Sequence, residues 1–213
     1  MTNQTDKSSL DEAALAAVVG GSGTTTIHGT SNNDSLTGTG QGDAIYGYNS
    51  QDTIAAGTGN DTVDAGDGDD IVRGDGGSDV IDGGSGQDIL LGGAHHDTIS
   101  GGDGDDRIFG GTGQDSLMGG TGQDTFFWHP GDGNDTVRGG DGDDTLRLED
   151  SGYSLQDLFG MIHVDPGSPQ PRMENGFIDL KGVSGSITIG HETITFSQLE
   201  RLVVGGYTHF DGR

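Results

Sequence analysis

The sequence predicts an all-β fold of short strands joined by glycine turns, and three observations carry that expectation. Glycine supplies 44 of the 213 residues, far above its usual share of about 7%. A nine-residue beat runs from Gly29 to Arg147, with an aspartate at its sixth position and an apolar residue at its eighth. Beyond that tract, stretches such as GSITIG and ETITF alternate apolar and polar residues, the period of a half-buried strand. No ordinary helix or alternating strand has a period of nine, so the central tract must be a repeat.

Composition limits what such a chain does. Only 29% of it is hydrophobic and 6% aromatic, and its net charge is −26 from 35 acidic against 9 basic residues. That balance alone favours disorder, because self-repulsion is high and little apolar surface can be buried. It also argues against nucleic acid or an anionic membrane as a partner. A large cation load reverses both difficulties. There is no cysteine, which removes disulfides and thiolate metal sites. No apolar run approaches the roughly 18 residues of a transmembrane segment. The N-terminus lacks the basic and apolar stretches of a secretory signal peptide.

Residues 1–28 form the first expected unit, an N-terminal arm. Ser9 with Glu12 makes a capping box ahead of LDEAALAAVV, and Gly20 is placed to end a helix. A short helix or flexible arm is one reading. The other is a cleaved export leader, since LDEAALAAVVGG, with Leu10, Leu15 and Val18 before Gly20–Gly21, resembles a double-glycine leader.

Residues 29–147 form the second unit. The sixth position reads Asp34, Asp43, Asp52, Asp61, Asp70, Asp79, Asp88, Asp97, Asp106, Asp115 and Asp124, then Asp135 and Asp144 after two extra residues at Trp128 and His129. The eighth reads Leu36, Ile45, Ile54, Val63, Val72, Ile81, Leu90, Ile99, Ile108, Leu117, Phe126, Val137 and Leu146. This pattern, GGxGxDxUx with U an apolar residue, resembles the RTX nonapeptide family of calcium-binding repeats. The resemblance implies a right-handed parallel β-roll of nonapeptide repeats. In such a roll the first six residues turn, with glycine avoiding a Cβ clash, and the last three form a brief strand. Two units make a coil of 18 residues, stacked roughly 4.8 Å above the previous one.

Aspartates one coil apart, 18 residues or 20 across the two extra ones, then form two ladders, one through Asp34, Asp52, Asp70, Asp88, Asp106, Asp124 and Asp144, the other through Asp43, Asp61, Asp79, Asp97, Asp115 and Asp135. Neighbouring carboxylates repel by at least about 1 kcal/mol per pair even in water. A hard dication between rungs turns repulsion into attraction, and calcium, with about 6 to 8 oxygen ligands in flexible geometry, suits an all-protein cage better than magnesium.

By the resemblance, each ion takes the aspartate with the second and fourth carbonyls of one turn, then the first and third carbonyls and the aspartate 18 residues on. The carbonyl ligands so implied begin at Gly57, Gly59, Gly66, Gly68, Gly74, Gly76 and Gly77. They continue at Gly83, Gly84, Ser85, Gly86, Gly92, Gly93, Gly101, Gly102, Asp103 and Gly104, and end at Gly110, Gly111, Thr112, Gly113, Gly119 and Thr121. Up to about eleven calcium ions would fit. Their charge nearly cancels the −19 left by 23 aspartates against Arg73, Arg107, Arg138 and Arg147.

The units are unequal. Their fourth position is glycine from Gly59 onward except at His95, but Asn32, Gln41 and Ser50 in the first three. The first coils should therefore bind weakly and the strongest sites lie between Gly57 and Asp124, while the break at Trp128–Pro130 interrupts the last pairs. On one outer face Ile71, Ile89, Leu91, Phe109 and Phe127 form an apolar stripe. Such a stripe is normally covered, here by Leu155, Phe159 and Phe177 of the following segment or by a second molecule.

Residues 148–213 form the third unit, a small β-rich cap. Leu155, Leu158, Phe159, Met161 and Ile162 suggest a short helix, GFIDLKG, GSITIG and ETITF suggest strands, and SQLERLVV suggests a helical turn or another strand. A cap protects the last open edge of a parallel coil; the family's export signal lies near the C-terminus, but GYTHFDGR is not a close match to its usual ending. No enzyme constellation appears. HETIT at 191–195 has Thr195 where a zinc helix needs a second histidine, no serine lies in a GxSxG frame, and His95 and His96 fall in a turn. The resemblance therefore implies a bacterial calcium-binding protein exported without a signal peptide, folding on calcium, with a structural, adhesive or self-assembling extracellular role. An accessory module acting in trans with an enzyme, or on extracellular polysaccharide, is the alternative.

Overall fold

A computed structural model describes residues 24–205. The expected N-terminal helix or leader at residues 1–21 and the terminal GYTHFDGR lie outside the described residues. Two parallel sheets alternate along the chain. The first contains β1 (Thr26–His28), β3 (Ala44–Asn49), β5 (Thr62–Asp67), β7 (Val80–Ser85), β9 (Thr98–Asp103), β11 (Ser116–Thr121) and β13 (Thr136–Asp141). The second contains β2 (Ser35–Thr37), β4 (Thr53–Ala55), β6 (Ile71–Gly76), β8 (Ile89–Ala94), β10 (Arg107–Thr112), β12 (Thr125–Trp128) and β14 (Thr145–Glu149). Each strand pairs with the strand two before it, so the chain winds as a β-solenoid of about seven turns. The all-β parallel roll is the architecture that the resemblance implies.

Register follows the repeat. Val63 pairs with Ile81 and Ile81 with Ile99 in one sheet, and Val72 with Leu90 and Leu90 with Ile108 in the other. The eighth-position residues therefore stack into two inward columns, from Ile27 through Val137 and from Leu36 through Leu146, none more than 4% exposed. One apolar side chain per repeat suffices because the sheets face each other closely enough for the columns to fill the space between them.

The strands are longer than the sequence suggests. Most span six residues, because positions two and three also pair: Gly84 aligns with Gly102 and Ser85 with Asp103. A turn whose peptide groups point along the roll axis finds partners in the coils on either side, so the ladder continues through the glycines. Only positions four to six are left to bend.

The two extra residues do not break the roll. They are absorbed in a loop where the Asp132 N–H donates to the His129 carbonyl at 3.0 Å and the His129 N–H to Asp132 Oδ2 at 2.6 Å. Beyond it Leu117 aligns with Val137 and Phe126 with Leu146, so both columns resume.

The cap extends both sheets. α1 (Leu155–Met161) begins at Ser154, whose side chain accepts from the Asp157 N–H while the Asp157 carboxylate accepts from the Ser154 N–H. After β15 (Ile162–Val164), β16 (Arg172–Glu174) and β17 (Phe177–Asp179) come the hairpin strands β18 (Gly185–Ile189) and β19 (Glu192–Ser197), then β20 (Arg201–Gly205). β19 adds in parallel to β13 and β20 to β14, which places Phe196 on Val137 and Leu202 on Leu146. SQLERLVV thus ends in a strand. Among the described residues no helix is long and apolar enough to cross a membrane.

The cap does not lie over the outer apolar stripe. Leu158 is buried, with Leu155 and Phe159 packed against the core cluster, and Phe177 sits beside Arg201. The stripe is covered in part by itself: the Phe109 and Phe127 rings stack 4.3 Å apart, with Arg107 over them, and Ile71 stays 40% exposed. A cap that protects strand edges must sit on the end of the coil, where those edges are open.

Packing this narrow makes the columns sensitive to volume. Leu90→Ala is expected to cost about 2–5 kcal/mol, whereas Val80→Ala, at a side chain 50% exposed, should cost little. Denaturant unfolding of the folded protein measures both, and equal losses would contradict the inward columns.

Candidate metal centre

The thirteen sixth-position aspartates stand at the bends of the roll. Twelve of them, Asp43 through Asp144, are no more than 3% exposed, and Asp34 is half-buried. From Asp43 onward each is gripped by the coil before it. The Asp34 N–H donates to Asp52 Oδ1 at 2.7 Å, Asp70 to Asp88 at 2.8 Å, Asp88 to Asp106 at 2.9 Å and Asp106 to Asp124 at 3.0 Å. In the second ladder Asp43 donates to Asp61 at 2.7 Å, Asp61 to Asp79 at 2.8 Å and Asp79 to Asp97 at 2.9 Å. Asp115–Asp135 and Asp124–Asp144, across the inserted residues, keep the same contact at 2.9 Å. The interruption read from the sequence at Trp128–Pro130 is thus absent from the ladders, because the loop carries the excess outside them.

One oxygen per rung is held and the other is left over. Oδ2 of Asp52, Asp61, Asp70, Asp79, Asp88, Asp97, Asp106, Asp115, Asp124 and Asp144 is buried without a hydrogen-bond donor. A buried, unpaired polar atom costs about 1–3 kcal/mol, and more when it is charged. Such an atom calls for a proton or a cation.

The surroundings are oxygen-rich. A Cβ on Gly83 would lie 2.5 Å from Asp88 Oδ2 and 2.5 Å from the Gly101 carbonyl, and Gly92 is placed alike against Asp97 Oδ2 and the Gly110 carbonyl. The missing side chain at position one lets a carboxylate oxygen and a carbonyl of the next coil come together. Ala56 and Ala65 occupy this position in two units and bring a methyl group into it. Positions two and four are left-handed, as at Gly84 (φ +98°) and Gly86 (+138°) and again at Gly102 (+112°) and Gly104 (+137°). Glycine adopts such backbone without strain.

Position two also separates the units, a distinction that the fourth position alone does not reveal. Thr30 and Thr39 stand there in the first two units, and neither they nor Asn32 and Gln41 are left-handed. In consequence the Thr30 and Thr39 N–H groups donate to Asp34 Oδ2 at 2.5 Å and Asp43 Oδ2 at 2.6 Å. These two carboxylates are satisfied within their own turns. The third unit, grouped with them on the strength of Ser50, behaves like the regular ones. Tyr48 and Ser50 are left-handed at +82° and +74°, and Asp52 Oδ2 is unpaired.

Among the described residues no three carboxylate or imidazole side chains converge on one point, so a cation in this lattice must draw on backbone carbonyls. Such a mixed set, hard oxygens with two carboxylates, fits calcium. His95 and His96 are exposed in a turn, His96 Nδ1 accepting from the Gln114 N–H at 2.9 Å. His191 ends a hairpin whose strand carries Thr195, so HETIT is a strand and not a zinc helix. Glu200 lies beside the last rung: its carboxylate accepts from the Asp144 N–H at 2.8 Å. Nothing in the repeat spacing pointed to it, since it follows Asp144 by 56 residues.

Burial raises the carboxyl groups. Asp88, Asp97 and Asp135 are pushed up to about 7, and Asp52, Asp79, Asp106, Asp124 and Asp144 to about 6, chiefly by desolvation, with a hydrogen bond from the preceding rung opposing it and neighbouring aspartates adding to it. An acid whose folded value lies above its unfolded one, about 3.9, stabilises the folded form below that lower value and loses the contribution as pH rises through the upper one. With divalent cations chelated, the β signal in circular dichroism is therefore expected to grow as pH falls from about 7 to about 4. A flat profile would contradict the buried ladders.

The family model described as RTX calcium-binding nonapeptide repeat matches residues 19–54, 46–81, 55–90, 91–126 and 130–150. No curated protein matches the chain.

Proposed function

The chain belongs to the family of RTX calcium-binding nonapeptide repeats, and from that premise we propose that its two aspartate ladders hold a stack of calcium ions that drives folding. The ten buried, unpaired Oδ2 atoms support this reading most strongly. Bound calcium supplies positive charge between carboxylates that otherwise repel. The residues do the rest: Oδ1 of each aspartate orients it through the preceding N–H, Oδ2 faces the ion, and the turn carbonyls named from the repeat complete the shell. Binding free energy at a site absent from the unfolded chain becomes folding free energy.

In this reading residues 29–147 are the calcium-binding repeats, β1 (Thr26–His28) ahead of them is the first strand of the roll, and 148–213 are its cap. The protein leaves a bacterial cell extended, where calcium is scarce, and folds outside. Its role there is structural or adhesive rather than catalytic. The roll and its cap account for the described residues, and the partly exposed stripe of Ile71, Ile89 and Leu91 offers a surface for self-association.

Calcium titration followed by circular dichroism and sedimentation tests this. The chain in chelator should be largely unfolded, with β signal rising cooperatively as calcium is added. A fully folded chain in excess chelator at neutral pH would defeat the proposal. Asp88→Ala and Asp106→Ala each damage two sites and should raise the calcium midpoint several-fold, while Asp34→Ala, whose carboxylate is satisfied in its own turn, should barely move it. Equal shifts for all three would show that the units are equivalent.

A further inference from the structure

The ladder through Asp144 does not stop at the end of the repeats. The Asp144 N–H donates to Glu200 Oε2 at 2.8 Å, as each earlier rung donates to its successor, and the Arg201 N–H donates to the Asp144 carbonyl at 3.0 Å, as Thr145 does to Asp124 at 2.8 Å. Glu200 thus occupies the place of a further rung. Gln198 occupies the place of the further first position: its carbonyl borders Gly139 as the Gly139 carbonyl borders Gly119. Its backbone is left-handed, with φ +51°.

The turn between them is cut short. Residues 140–143 separate Gly139 from Asp144, whereas Leu199 alone separates Gln198 from Glu200. The rung is correspondingly a glutamate, one methylene longer than the aspartate of a full turn. The other ladder ends differently. The pairing of Thr136 with Thr195 sets buried Ile194 opposite Asp135, and Glu192 is turned to the Gly131 N–H at 2.9 Å.

We propose that Asp144, Gln198 and Glu200 complete a cation site between the last coil and the cap, so that one calcium ion fastens the cap to one ladder only. This rests on the calcium reading above. Asp144 Oδ2 is the independent pointer to a ligand, being unpaired on a side chain with 0% exposure. The site draws on that atom, the Gly140 and Gly142 carbonyls, the Gln198 carbonyl and the Glu200 carboxylate. The missing third carbonyl of the shortened turn leaves a position for water, within the 6 to 8 oxygens that calcium takes. Without the ion the cap is tied here by Arg201 on Asp143 at 3.3 Å and by Arg138 on the Gln198 side chain.

The full chain and its Glu200→Gln variant, in saturating calcium, are compared by counting bound ions in equilibrium dialysis and by hydrogen exchange. The variant should bind one ion fewer, and the amides of Arg201–Gly205 should exchange about tenfold faster, while residues 57–124 stay protected. Glu192→Gln should change neither quantity. Gln198→Gly keeps the carbonyl and the left-handed backbone, and should retain the ion. An unchanged ion count in Glu200→Gln, equal losses in Glu192→Gln, or loss of the ion in Gln198→Gly would each overturn the proposal. A wild-type chain that binds no calcium would instead remove the lattice on which it rests.

Discussion

Everything in this molecule depends on bringing buried like charges into register. From Asp52 onward each rung is locked through one carboxylate oxygen by the amide of the coil before it, which leaves the second oxygen of ten rungs buried and unpaired. A backbone hydrogen bond that positions an unsatisfied anion is a poor bargain in isolation. In the proposed reading it becomes a folding mechanism, because ten rungs are incomplete in the same way and a small dication completes them. The left-handed glycines, the absence of side chains beside the carboxylates and the strict spacing all serve that one contact.

The apolar interior is subordinate to it. Two columns of single side chains, Ile81 on Ile99 and Leu90 on Ile108, close the space between sheets, but each coil buries too little to overcome its own charge. In the proposed reading such a chain couples its hydrophobic core to an ion rather than to sequence-distant packing. The cap is where an ordinary core returns, with α1, Phe196 and Leu202 gathered at the end of both columns.

Much of this was legible in the period alone. The resemblance that the period carries implied a coil of two units, and Asp88 stacks on Asp106 and Leu90 on Ile108 accordingly. What escaped the period is what departs from it. Trp128–Pro130 looked like a break because counting cannot see a loop that bulges outside the ladder. Ser50, where most units have glycine, nevertheless adopts the left-handed backbone of the regular units. The true divide falls after Asp43, where threonines at position two let each turn satisfy its own carboxylate. Glu200 was invisible for a different reason. A rung of another residue type, in a turn of another length, is recognised only from the strand pairing that delivers it.

The inward and outward faces of the roll obey different repeat lengths. Inside, every nonapeptide contributes the same rung and the same apolar plug, whichever sheet it joins. Outside, neighbours along a sheet are two nonapeptides apart, so Phe109 meets Phe127 and never the intervening Met118. Gain or loss of a single unit by duplication or deletion would leave the interior intact yet transfer every upstream side chain to the opposite outer face. Only changes by pairs conserve the surface, so the roll can vary freely in length while its exterior is inherited in steps of a whole coil.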